Sequence, residues 1–108
     1  MSVTALTAQT FDQTIESHPL ILIDFWAQWC GPCKAFGKTL LEITQDYPDI
    51  YFASVNVEEE KTLAEEFAVR SIPFVMIIKN RTVIYAESGA LPGQALRELL
   101  DQAKAVKQ

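Results

Sequence analysis

The stretch Leu20-Ile21-Leu22-Ile23-Asp24-Phe25-Trp26-Ala27-Gln28-Trp29-Cys30-Gly31-Pro32-Cys33-Lys34 decides how the chain reads. Its first seven residues are apolar at odd and even positions alike, save Asp24. A strand of that kind is buried on both sides, as in a sheet with helices over each face. Gly31 and Pro32 then fit the opening of a helix, where proline's missing N–H is no loss and its fixed φ is already helical. Two cysteines therefore sit at a strand-to-helix junction.

Outward from this junction, apolar spacing divides the chain into alternating segments. Phe11 and Ile15 are four apart, which predicts a helix over Ala8–Ser17, broken at Pro19. Phe36, Leu40, Ile43 and Tyr47 predict a helix over Pro32–Tyr47 that ends before Pro48. Tyr51–Val57 is β-branched and aromatic, a strand. Leu63 and Phe67 mark a short helix within Glu59–Val69. Phe74–Lys79 and Thr82–Glu87 read as strands joined by the tight connection Asn80-Arg81. The last helix opens at Pro92 and carries Leu96, Leu99, Leu100 and Ala103 on one face. With a weak strand near Val3–Leu6, the order is βαβαβαββα, an α/β sheet covered on both faces. Residues 1–108 read as one domain, with no internal repeat or linker.

Composition bounds the function. A chain of 108 residues that is 49% hydrophobic can build its own core, which excludes a disordered or collagen-like chain. Nine basic against 14 acidic residues give a net charge of −5, so no nucleic-acid partner is expected. The longest apolar runs, Leu20–Ile23 and Phe74–Ile78, fall far short of the ~20 residues of a membrane span, and no membrane partner is expected. The N-terminal residues lack the pattern of a secretory signal, so a cytoplasmic, reducing location is the expectation. There, closely spaced cysteines are more often catalytic than structural.

Cys30 falls near the helix N-cap and Cys33 in the first turn. Residues three apart on a helix are neighbours, near the Cα separation a disulfide needs. The first-turn N–H groups lack helical acceptors, and one is expected to point at the Cys30 sulfur. With the helix dipole and the charge of Lys34, these donors favour the Cys30 thiolate. Cys33 should be less exposed. The asymmetry suggests that Cys30 attacks a substrate disulfide and Cys33 resolves the mixed disulfide. Other readings stay open: two structural cysteines, a stabilising disulfide worth only roughly 2 kcal/mol for so short a loop, or a metal site shared between two chains. Haem attachment would need a histidine where Lys34 stands.

Asp24 shares a strand face with Leu20, Leu22 and Trp26. Burial there would raise its pKa and suit it to exchange a proton with the second thiol. The competing reading is an edge-exposed carboxylate. In Arg70-Ser71-Ile72-Pro73-Phe74, the residues alone suggest an ordinary trans proline at a strand start. Gly89 in Ser88-Gly89-Ala90 reads as a turn glycine. His18 is expected in an exposed loop. Glu58-Glu59-Glu60 is expected to cap the third helix, where negative charge is favourable.

The segment from Asp24 to Lys34 resembles the active-site segment of the thioredoxin family. The similarity runs from about Val3 to Ala103, with Arg70-Ser71-Ile72-Pro73 and Ser88-Gly89-Ala90 at the family's intervals. The resemblance implies a thioredoxin fold with a central mixed sheet and helices on both faces. It implies reduction of protein disulfides by Cys30 and Cys33, with Asp24 as the buried proton relay. Pro73 would be a cis-proline facing the cysteines. Trp29, Gly31, Pro32, Ile72, Pro73, Gly89 and Ala90 would form an apolar groove for substrate backbone. The implied partners are disulfide-containing client proteins and thioredoxin reductase, acting on a monomer. No cofactor would be bound; electrons would come from NADPH through the reductase. Four residues depart from the family's pattern: Lys38 for a helix-bending proline, Ser54 for a lysine near the aspartate, Phe74 for a threonine after the cis-proline, and Arg81 for a hairpin glycine. They leave room for a specialised member. Two alternatives are a binding module of the same fold and a redox sensor with a narrow partner set; the intact Cys30, Cys33 and Asp24 argue against the binding module.

Overall fold

A computed structural model describes residues 3–107. The chain runs β1 (Thr4–Ala5), α1 (Ala8–Ser17), β2 (Leu20–Trp26), α2 (Gly31–Thr44), β3 (Tyr51–Asn56), α3 (Lys61–Glu66), β4 (Phe74–Lys79), β5 (Thr82–Ser88) and α4 (Gly93–Ala105). The sheet order is β1-β3-β2-β4-β5. β2 pairs parallel with β3 and antiparallel with β4, so the sheet is mixed. The expected element order and the α/β class are both found.

The alternation in β2 explains the layers. Leu20 and Leu22 pack with Phe36, Leu40 and Ile43 of α2 and with Leu96, Leu100 and Ala103 of α4. Ile21, Ile23 and Phe25 face the other way, onto Phe11 of α1 and Leu63 of α3. The apolar residues Leu20–Ile23 and Phe25 thus meet helices on both faces, and a strand of this composition has no other stable place than the middle of a covered sheet. Asp24 lies in that middle strand, with Ser54 of β3 and Val75 of β4 as its register partners. The edge-exposed reading of Asp24 is therefore excluded.

Local signals fix the ends. Thr7 caps α1: its Oγ1 accepts from the Thr10 N–H at 3.2 Å, and its own N–H donates to Thr10 Oγ1 at 3.0 Å. At the Asn80-Arg81 turn both residues have positive φ, 49° and 70°, the twist a two-residue hairpin needs. His18 is not a free loop residue. It is half-buried and stacks on the Tyr51 ring with centroids 3.9 Å apart. The acidic run does not cap α3 through its side chains either. Glu60 stands at the N-cap position without a side-chain cap bond, and its Oε1 accepts from the Ala8 N–H at the start of α1. Its carboxylate thus serves a neighbouring helix whose first donors lack acceptors.

Among the described residues no helix is long and apolar enough to cross a membrane. None of their His, Cys, Asp and Glu side chains gather in a group of three or more that could hold a metal.

Candidate functional site

The topology brings four distant segments to one end of the sheet, where strands β2, β3 and β5 finish and β4 starts. Cys30 follows the C-terminal end of β2 and Glu58 that of β3. Pro73 precedes the N-terminal end of β4, and Gly89 follows β5. Because β4 runs against β2 and β5 against β4, these four ends meet.

Cys30 is the N-cap of α2 in extended conformation, and Pro32 lies in the first turn. Cys30 and Cys33 are joined as a disulfide with Cα atoms 5.2 Å apart. The Cys33 N–H donates to Cys30 Sγ at 3.1 Å, as the unpaired donors of a helix start predict. The exposure contrast between the two cysteines is smaller than expected. Cys30 is 5% exposed and Cys33 2%. In the disulfide form Cys30 is covered by the proline loop, its Sγ lying 4.0 Å from the Ile72 carbonyl oxygen.

The Ile72-Pro73 peptide bond is cis. The residues alone favoured trans; the family resemblance favoured cis. Isomer choice at X–Pro is a near-balanced local equilibrium that tertiary context decides. That context is visible: the Gly89 N–H donates to the Pro73 carbonyl at 2.8 Å. Ser71 Oγ donates to Ser88 Oγ at 2.8 Å, and Ser88 Oγ donates to the Ser71 carbonyl at 3.0 Å. Gly89 holds φ at 127°, a conformation that side chains resist. The two loops are thus tied together beside the disulfide.

Of the seven groove residues, Trp29, Gly31, Pro32, Gly89 and Ala90 are exposed, Ile72 is half-buried and Pro73 is buried. Trp29 is 68% exposed, a large apolar surface beside a reactive bond. Its indole N–H donates to Glu58 Oε2 at 2.8 Å. In the sequence Glu58 reads only as part of a helix-capping acidic run, and Ser71 and Ser88 only as neighbours of Pro73 and Gly89. Each acts through a partner 17 or 29 residues away, and no local spacing signals that.

Asp24 is 5% exposed, and its Oδ1 has no hydrogen-bond partner. Burial pushes its pKa from 3.8 up to about 7. Desolvation accounts for the shift, with no cation offsetting it. Ser54, opposite in the register, supplies none. Asp24 and Cys33 border the same cleft behind the disulfide. The arrangement can therefore exchange electrons at Cys30–Cys33 and hold a proton close to Cys33.

Comparison with known proteins agrees with the geometry. The family described as Thioredoxin matches residues 2–102. A putative thioredoxin 2 from Streptomyces coelicolor is 42% identical over 103 residues, covering 95% of this chain and 77% of the relative. Thioredoxin 1 from Synechococcus elongatus is 40% identical over 105 residues, covering 94% and 98%. Among solved structures, oxidised thioredoxin from Plasmodium falciparum superposes with a TM-score of 0.84 at 30% identity, covering 94% of this chain and 97% of that one.

Proposed function

The chain belongs to the thioredoxin family and is a protein-disulfide reductase, and from that premise we propose how its residues divide the work. The Cys30 thiolate attacks one sulfur of a client disulfide. A mixed disulfide forms and the client's other sulfur leaves as a thiolate. Cys33 then attacks the Cys30 sulfur. Asp24 takes the Cys33 thiol proton, the client's second thiolate leaves, and the Cys30–Cys33 disulfide is restored. Two electrons have moved to the client. Two electrons from NADPH, passed on by a thioredoxin reductase, return the dithiol together with two protons, one from NADPH and one from solvent.

One observation carries this reading. The N–H of Cys33 is aimed at Cys30 Sγ at 3.1 Å at the start of a 14-residue helix. A sulfur so placed is stabilised as an anion, both as leaving group and as nucleophile. The exposed surface of Trp29, Gly31, Pro32, Gly89 and Ala90 around it, with Ile72 and Pro73 between, receives the client backbone. The work takes place in the cytoplasm on a monomer.

Alkylation of the reduced protein by iodoacetamide near neutral pH tests the roles. Cys30 is expected to react far faster than Cys33, since the helix start favours its thiolate; comparable rates at both would overturn the division. A Cys33→Ser variant should trap client proteins as mixed disulfides through Cys30. Oxidation of NADPH by thioredoxin reductase, with this protein as sole acceptor, tests the recharging step.

A further inference from the structure

Lys34 and Lys38 stand one turn apart on α2, both exposed. Residues four apart on a helix are neighbours, and two like charges there repel. The chain supplies neither with an anion. The ion pairs among the described residues are Arg97–Asp46 and Lys104–Asp49, and Glu42, one turn beyond Lys38, pairs with neither lysine. In a chain of net charge −5, two adjacent cations left in this way are a local exception. Leu41, 49% exposed, continues the same helical face. Cys33, Lys34, Lys38 and Leu41 border one cleft, so this stripe adjoins the reacting sulfurs.

We propose that the stripe selects clients by charge, receiving the segment that flanks the attacked cysteine when that segment is extended and carries Asp or Glu at alternate positions. The inference rests on the roles given above to the two thiols. Spacing supports it. Lys34 and Lys38 are separated by roughly 6 Å along the helix axis, at ~1.5 Å per residue. Alternate side chains of an extended chain point the same way and lie roughly 6–7 Å apart. Two carboxylates so spaced meet the two ammonium groups in register. One flank of the client cysteine lies in the groove of Trp29, Pro73 and Gly89, and the other leaves over α2. Cys30 to Lys38 is about 12 Å of helix, which about four extended residues span. The acidic positions are therefore the second and fourth from the cysteine. An anion between the lysines also relieves their mutual repulsion. A basic flank meets like charge instead, so the stripe discriminates between clients as well as anchoring them. Exposed pairs contribute little each, and the gain falls chiefly on the rate of encounter.

Three peptides test this, each a disulfide-linked homodimer through one central cysteine. The first has glutamate at the second and fourth positions on both sides of the cysteine, with alanine elsewhere; the others have glutamine or lysine in place of glutamate. Single-turnover reduction by the dithiol form of the protein is followed at low salt. Each rate is divided by that of the same peptide with dithiothreitol, which removes the effect of flanking charge on the leaving thiol. The glutamate peptide should react about fivefold faster than the glutamine peptide, the scale of two exposed ion pairs, and the lysine peptide more slowly than either. At about 1 M salt, where the screening length is about 3 Å, the three should converge. Lys38→Gln should reduce the preference to about twofold, and Lys38→Glu should abolish it. Each preference is a ratio between peptides within one variant, so a change in thiol reactivity cancels. Equal rates for the glutamate and glutamine peptides at low salt overturn the proposal, as does a preference that Lys38→Glu leaves intact. Reduction of none of the peptides would instead overturn the roles of the two thiols, and this inference with them.

Discussion

Asp24 places an ionisable carboxyl in the middle strand of a sheet covered on both faces. Desolvation raises its folded pKa to about 7 from 3.8. The sign of the linkage follows. Between those values the folded state binds a proton that the unfolded state has lost. The stability Asp24 permits is full below the unfolded value, declines as pH rises toward the folded value, and then levels off. A shift of roughly three units corresponds to at most ~4 kcal/mol at alkaline pH. Asn keeps the shape and cannot ionise. Asp24→Asn is thus expected to be the more stable protein at pH 8, by up to ~4 kcal/mol, with a smaller gap at pH 5. Urea unfolding at both values checks this, and an equal gap at both would mean the carboxyl is not desolvated. The same substitution removes the proton acceptor proposed for Cys33. Single-turnover reduction of a peptide disulfide should slow, and an undiminished rate would leave Asp24 with a structural role alone.

At the scale of elements, Gly37 and Arg81 carry backbone conformations their residues do not favour. Gly37 lies inside α2, where glycine is destabilising by roughly 0.5–1 kcal/mol relative to alanine. A Cβ there meets open space. Gly37→Ala should therefore raise stability by about that amount, measured as a shift of the urea midpoint at constant slope. Arg81 is the reverse case. It holds φ at 70° in the β4–β5 turn, a left-handed conformation costing an ordinary residue ~1–2 kcal/mol. Arg81→Gly should gain about 0.5–1 kcal/mol after glycine's own entropy loss. A loss of stability in the Arg81→Gly variant would show that the arginine side chain holds the turn.

The elements were legible where one physical signal was enough. β2 showed in its two-sided apolar composition, and α1 and α4 in their helical spacing. α2 ends at Thr44, short of the Tyr47 that the spacing predicts, because Tyr47 continues the apolar spacing although the backbone has already left the helix. Asp46 and Tyr47 donate to carbonyls three residues back, closing a tight turn, while the Tyr47 ring stays in the core. α3 lies within Glu59–Val69 as expected, and two local features set its ends. Asn56 Oδ1 takes the N–H groups of Glu58 and Glu59 into a turn, and Ala68 adopts φ 55° beyond its end. The cysteine pair and Asp24 were legible because strand, helix start and buried charge stood within eleven residues. The partners of Glu58, Ser71 and Ser88 were not, because sheet topology alone decides them.

The whole molecule separates its chemistry from its anchoring. The disulfide, Pro73 and Gly89 gather where β4 begins, and Lys79 stands where β4 ends. Six residues of strand place the two ends roughly 17–20 Å apart. At its far end Lys79 Nζ donates to the carbonyls of Ala103 and Lys104, each at 2.9 Å, and to that of Val106. Ala103 and Lys104 lie in the last turn of α4 and Val106 is its C-cap residue, at the helix end where carbonyls are short of donors and the dipole favours a cation. One side chain thus clips the C-terminal helix to the sheet, on the face where Leu96, Leu100 and Ala103 complete the core. Lys79→Met keeps most of the apolar stem and removes the charge and its donors. A stability loss of about 2 kcal/mol is expected, the scale of a charge-assisted bond partly replaced by water. Amide exchange should quicken over the last turn of α4, while the rate of disulfide reduction stays unchanged. Unaltered stability would show that the three carbonyls are as well served by solvent. A fall in the reduction rate of the still-folded variant would show that the two ends are coupled through β4.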